Sequence, residues 1–340
     1  MLNQLNIKYP IFLAPMSGVS TPALAAAVSN AGGLGALGLG SSTIDDAIHQ
    51  IKQTKLLTPN AFQVNFFCHE EYKLDKEQEK DWIHFLSKEF FRLGKEAPTQ
   101  LQQLYSSFKN NDDYTNLLLD TKPKAVSFHF GLPSYSQISA LKSSGIMTMV
   151  SVTQLSEALE AQALGIDILI AQGIEAGGHR GMFNPSRESG IFTSDLVSIL
   201  IEHPQIQLPV VAAGGIMAGD AIRKMLDLGA SAAQLGTAFI QCEESAANQS
   251  YKNALFQQKN TQITDIISGR PARGLISQWH QILASCHEVQ HSGYPYTYDI
   301  AKKLSTLDPA FSIYWAGSNV SNIRRLNAQS LMETLIEELL

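Results

Sequence analysis

Short apolar runs alternate with helical stretches along this chain, and the alternation comes round eight times. The runs are Ile11–Ala14, Leu34–Leu37, Phe62–Phe67, Ala125–Phe130, Met147–Val152, Asp167–Ala171, Pro209–Ala213 and Ala232–Leu235. Helical stretches between them carry their own punctuation. Thr21-Pro22 opens an Ala-rich helix that Gly32-Gly33 stops. Ser42-Thr43 opens the next, with Asp45 and Asp46 in its first turn, where the helix dipole favours them. Runs such as PVVAA and DILIA are apolar almost throughout, as strands of a parallel sheet buried on both faces must be. Alternating βαβα units imply right-handed crossovers, and eight of them close a barrel. The expected fold is therefore α/β, a (β/α)8 TIM barrel. An open doubly wound sheet would normally carry G-x-G-x-x-G after its first strand. The turn here, APMSGVST, does not.

Two stretches break the rhythm. Residues 69–121 are charged, aromatic and helical in character, without a Val/Ile-rich run, and residues 241–310 are polar with a Gly/Tyr/Pro-rich segment, SGYPYTY. We read both as excursions over the core. The barrel then comprises 1–68, 122–240 and 311–340, with Asn322–Leu340 as a terminal helix.

Composition narrows the class. The 340 residues are 44% hydrophobic and 16% charged, the balance of a globular chain with a large core. A formal charge of −6 argues against nucleic acid, because Lys302-Lys303 and Arg324-Arg325 are isolated doublets rather than a cluster. The first ten residues lack the pattern of a secretory signal, and no apolar run approaches a membrane span. Cys68, Cys242 and Cys286 are odd in number and far apart, as reduced thiols in a cytoplasm would be.

Barrels of this class put their site at the C-terminal ends of the strands, with phosphate commonly held after strands seven and eight. Strand seven ends in Gly214-Gly215 and strand eight in Gln234-Leu235-Gly236-Thr237. Glycines let backbone N–H groups approach an anion, helix N-termini add more, and the Thr237 hydroxyl is a further donor. The loop after strand six, Gln172–Gly181, is the sharpest feature. It carries four glycines, Gly177 and Gly178 among them, so a flat group can lie against its backbone while His179 projects towards it. An ordinary histidine pKa of about 6.5 suits proton abstraction from carbon. His129 and His69 share the rim. With Glu175 they raise a metal reading, but no His-x-His or H-E-x-x-H occurs, and we expect no metal. Asn65 in QVNFF needs a partner for its amide, and Ala14-Pro15-Met16 lie at the mouth.

The segments PIFLAPMSGVSTPALAAAVSNAGGLG, FQVNFFCH, SFHFGLP, AQGIEAGGHRG, LPVVAAGGI and AAQLGTAF, taken in order, resemble the nitronate monooxygenases, once called 2-nitropropane dioxygenases, of the class I type. SGYPYTYDIAKKL and WAGSN resemble that family's later blocks. The resemblance implies a barrel holding one FMN, with 69–121 and 241–310 forming a lid or substrate domain. It carries flavin contacts onto Ala14, Pro15, Met16, Asn65, Gln172, Gly177, Gly178, Gly214, Gly215, Gln234, Leu235, Gly236 and Thr237, and the catalytic histidine onto His179. Tyr298 and Lys302 match a late Tyr and Lys, and with His129 they are expected at the substrate. The implied reaction is oxidation of alkyl nitronates, propionate 3-nitronate above all, with O2 to a carbonyl compound and nitrite. His179 would deprotonate neutral nitroalkanes only. The protein would be monomeric or a homodimer. Alternatives on the same barrel are flavin-dependent enoyl-acyl-carrier-protein reductases, with a similar Gly-Gly-His loop, and NAD(P)H:quinone reductases. Arg180 and the FHFGLP block favour the monooxygenase. A non-catalytic barrel binding a phosphorylated metabolite is the remaining reading.

Overall fold

The computed structural model describes residues 1–286 and 289–340. Eight parallel strands form one sheet: β1 (Ile11–Leu13), β2 (Gly35–Gly38), β3 (Phe62–Phe67), β4 (Ala125–His129), β5 (Met147–Val152), β6 (Ile168–Gln172), β7 (Val210–Ala213) and β8 (Ala232–Leu235). Their order is β1-β8-β7-β6-β5-β4-β3-β2. A parallel bridge from Phe12 to Leu34 draws β1 towards the start of β2, so the sheet curls into the expected barrel.

Apolar runs become strands here because both faces are covered. Inside, Phe12, Leu34, Met149, Ile168, Ile170 and Val211 pack together with Leu5 of the N-terminal helix Leu2–Leu5. Outside, a larger core lies between strands and helices. The interior also holds polar side chains, each needing a partner. Gln63 Nε2 donates to Leu13 O and Gln234 Oε1, both at 3.2 Å.

The excursion read at 69–121 reaches less far than the sequence implies. Its last helix, Asp112–Thr121, buries Tyr114, Leu117 and Leu118 in the barrel core and serves as the crossover from β3 to β4. The terminal helix runs Ala328–Leu339 rather than from Asn322. Asn327 caps it, its side chain accepting from the Ser330 N–H at 2.8 Å.

The helix Lys76–Arg92 turns Trp82, Leu86 and Phe90 into a second core, with Ile266, Ile267, Trp279, Ile300, Leu304 and Phe311. Phe311 thus packs here although it begins the last segment read as barrel. The polar stretch after 240 also supplies two short strands, Thr261–Thr264 and Ala272–Leu275. With Gly178–His179 they make a three-stranded antiparallel sheet. At four residues with little alternation, neither strand was legible in the sequence.

Trp279 anchors this second core. It is fully buried, donates its indole N–H to Phe311 O at 3.1 Å, and meets the Phe311 ring edge-on at 5.2 Å. Trp279→Ala is expected to cost about 3–5 kcal/mol, the range for emptying a large aromatic site. A urea midpoint unchanged from wild type would contradict that placement. No described helix is long and apolar enough to cross a membrane.

Candidate active site

A cavity of about 270 Å³ opens at the C-terminal ends of the barrel strands, where the second core overhangs them. Every site residue expected from the sequence lines it except Leu235, which is buried among the barrel's apolar side chains. Tyr298 and Lys302 reach it from the helix Tyr296–Leu307, where a spacing of four puts both on one face. Lys302 is the only Lys, Arg, Asp or Glu among the described lining residues. Its Nζ sits 5.0 Å from the ring centroids of Tyr105 and Tyr298.

The turns after β7 and β8 present their backbone inwards. Gly214 and Gly215 both adopt positive φ, a conformation that glycine takes without penalty. Behind this turn Thr193 Oγ1 lies 3.3 Å from Ala213 O and 3.1 Å from Gly214 O, and Asn319 Nδ2 donates to Gly215 O at 2.7 Å. Among the described residues, the N–H groups of Gly214, Gly215, Gly236 and Thr237 find no acceptor. Thr237 Oγ1 accepts from Gly317 N at 2.9 Å, leaving its own proton to give. These residues line the cavity with backbone donors, a chemistry that suits an anion. The first N–H of the helix after β7, that of Gly219, is occupied by Glu338 Oε2 at 2.8 Å.

The histidine loop is clamped by its neighbours. Gln172 Nε2 donates to His179 O, while Gln172 Oε1 accepts from Arg180 Nη1 and Gly181 N. Gln172 therefore lines the wall with its amide already spent on the loop. Asn65 Nδ2 donates to Ser127 O and Oγ, each at 3.0 Å, and its oxygen takes no donor from the described residues. Arg180 is fully buried and paired with Glu188.

His179 is ringed by aromatic groups. Phe130, Tyr294, Tyr298 and Trp315 all lie within 5.8 Å of its centroid. Its Nε2 is 2.8 Å from Ser268 Oγ. Burial, with His129 and Arg270 nearby, pushes its pKa down to about 3. This shift from the ordinary value of about 6.5 favours the uncharged imidazole. His129 is likewise pushed down to about 4 by burial, and its Nε2 donates to His179 O at 3.1 Å.

The three rim histidines all pack on the Phe130 ring. The His69 ring packs edge-on against Tyr294, and Glu175 is taken up by the N–H and hydroxyl of Thr193. Among the described residues no three His, Cys, Asp or Glu groups are placed to hold a metal. Sequence reasoning missed Tyr105, Tyr251, Tyr294, Trp315 and Ser268. Tyr294 had a signal, since it lies four residues before Tyr298 in SGYPYTY. The Trp315 indole donates to Tyr298 Oη at 3.2 Å, which leaves that phenol's proton free for the cavity.

The nitronate monooxygenase family profile matches residues 1–340. A nitronate monooxygenase of Pseudomonas aeruginosa is 44% identical, over 98% of this chain and 97% of its own. One from Paraburkholderia phytofirmans is 42% identical, over 100% and 94%. The solved nitroalkane oxidase of Streptomyces ansochromogenes superposes with a TM-score of 0.89 at 35% identity, covering 100% of this chain and 98% of that one. FabK from Thermotoga maritima superposes at 0.75 with 25% identity, covering 99% and 94%. The chain belongs to the nitronate monooxygenase family of oxidoreductases.

Proposed function

We propose that this cavity holds FMN and that the enzyme oxidises alkyl nitronates, propionate 3-nitronate foremost, with O2 to a carbonyl compound and nitrite. The observation that carries the reading is the set of N–H groups on Gly214, Gly215, Gly236 and Thr237 that find no acceptor among the described residues, in the same cavity as His179. Those donors suit a phosphate, and Ala14–Met16, Asn65 and Gly177-Gly178 are left to border a flat ring system. Leu235 would contribute nothing beyond its backbone. FMN, when bound, supplies one-electron acceptance and reaction with O2.

The protein's own residues handle binding and protons. His179 takes the proton from the α-carbon of a neutral nitroalkane: the C–H bond breaks, its electron pair becomes the C=N bond of the nitronate, and the imidazole becomes cationic. A nitronate that arrives as an anion needs no such step. Lys302 has no carboxylate partner among the described residues, so it can receive the second anionic group of propionate 3-nitronate. The aromatic walls keep water away from these charges and so strengthen them. Three separated cysteines accord with action in the cytoplasm.

The test is an absorption spectrum of the purified protein, then propionate 3-nitronate under air with nitrite measured. Yellow protein that releases nitrite, and whose flavin NADH and NADPH do not bleach anaerobically, is expected. Colourless protein that takes up no FMN would overturn the reading, and bleaching by NAD(P)H without nitrite release would favour a reductase.

A further inference from the structure

The hydrogen bonds behind His179 decide which of its nitrogens can accept a proton. Ser268 Oγ lies 2.8 Å from His179 Nε2 and 3.1 Å from Arg270 O. A carbonyl only accepts, and a hydroxyl has one proton to give. Among the described residues Arg270 O has no other donor. If the serine donated to His179 instead, this carbonyl would be left unpaired beside a fully buried side chain, at a cost of about 1–3 kcal/mol. The proton therefore goes to Arg270 O, the Oγ lone pair faces His179, and His179 must supply the hydrogen from Nε2.

We infer that Ser268 is a positioning residue that fixes His179 as the Nε2–H tautomer, so that Nδ1 is the nitrogen that receives the substrate proton. This rests on the reading of His179 as the base.

The placement is rigid. Ser268 belongs to the 241–310 excursion, which is fastened to the histidine loop along its length. Ala272 pairs with His179 and Arg273 with Gly178, Arg180 N donates to Pro271 O at 2.8 Å, and Arg270 Nη1 donates to Met182 O at 2.9 Å. The barrel thus carries the base, while the excursion sets its protonation geometry. In the step itself the α-carbon C–H bond breaks, its proton moves to Nδ1, and the Nε2–H to Ser268 bond strengthens as the ring becomes cationic.

The test uses FMN-loaded enzyme labelled with 15N-histidine, with the His179 signals identified by their loss in His179→Asn. Wild type should show a proton on Nε2 and a bare Nδ1. Ser268→Ala should lose the single tautomer and lower nitroethane turnover about tenfold, part of the 10²–10⁴ a positioned base contributes, with ethyl nitronate turnover unchanged. Ser268→Thr keeps the hydroxyl and should recover most of the nitroethane rate. A proton on Nδ1 in wild type overturns the inference without any variant having to fold. So does a Ser268→Ala enzyme with unchanged tautomer and unchanged substrate ratio. Should His179→Asn slow both substrates alike, the base reading fails, while the wild-type tautomer still decides the role of Ser268.

Discussion

Replacing His179 with asparagine should cut turnover of neutral nitroethane by about 10²–10⁴, the contribution of a positioned general base, and leave ethyl nitronate turnover within about twofold. Asparagine keeps a donor for Ser268 but has no basic nitrogen. The same residue makes a pH prediction. Burial holds the imidazole down at about 3, so it is already unprotonated well below neutrality. Since kcat/KM reports the free enzyme, nitroethane kcat/KM should show no acid limb near about 6.5, where an ordinary histidine titrates. The loss belongs to far lower pH, as protons begin to fill the ring. A low pKa weakens the base, but the ring is always available and is gripped by its neighbours. Equal losses on nitroethane and ethyl nitronate in the variant would remove His179 from the proton step.

The sequence made the barrel legible because parallel strands buried on both faces must be apolar, and eight such runs leave few other solutions. The site was legible to the extent that it is built from backbone: Gly214, Gly215, Gly236 and the Gln172–Gly181 loop announce themselves through glycine. What long-range contact decides was not. Ser268 sits in a polar stretch whose two short strands carry no periodic signal, yet that stretch meets His179 across the chain. The depressed pKa of His179 was hidden for the same reason, since its causes are burial and the neighbours His129 and Arg270, distant in sequence. Gln172 was placed in the right wall, but the consumption of its amide by Arg180 and Gly181 appears only once the loop is folded.

That clamp makes the second large prediction. Arg180 is fully buried. Its Nη1 donates to Gln172 O, Gln172 Oε1 and Gly173 O, while Nε and Nη2 grip Glu188 at 2.8 and 3.2 Å. Glu188→Ala leaves that guanidinium buried without its counter-charge, and removing one partner of such a pair costs about 3–5 kcal/mol. Glu188 is partly exposed, its side chain retaining 28% of its accessible surface, so the lower end is expected. The pH dependence fixes the sign. Burial alone would raise the Glu188 carboxyl, but the bonds from Arg180 outweigh it and hold the pKa below its ordinary 4.5. A depressed carboxyl stabilises the fold above the unfolded-state pKa and loses that stabilisation as pH falls through the folded-state value. The gap between wild type and Glu188→Ala should therefore be full at pH near 7 and shrink as pH falls below the ordinary carboxylate range, where the wild type also loses its charge. Urea midpoints at both pH values measure it, and a gap independent of pH would show that the ion pair is not its source. Because Arg180 and Gln172 hold the backbone that carries His179, the variant should also lose nitroethane turnover ahead of ethyl nitronate turnover. The base, unlike a preformed anion, depends on where that loop is held.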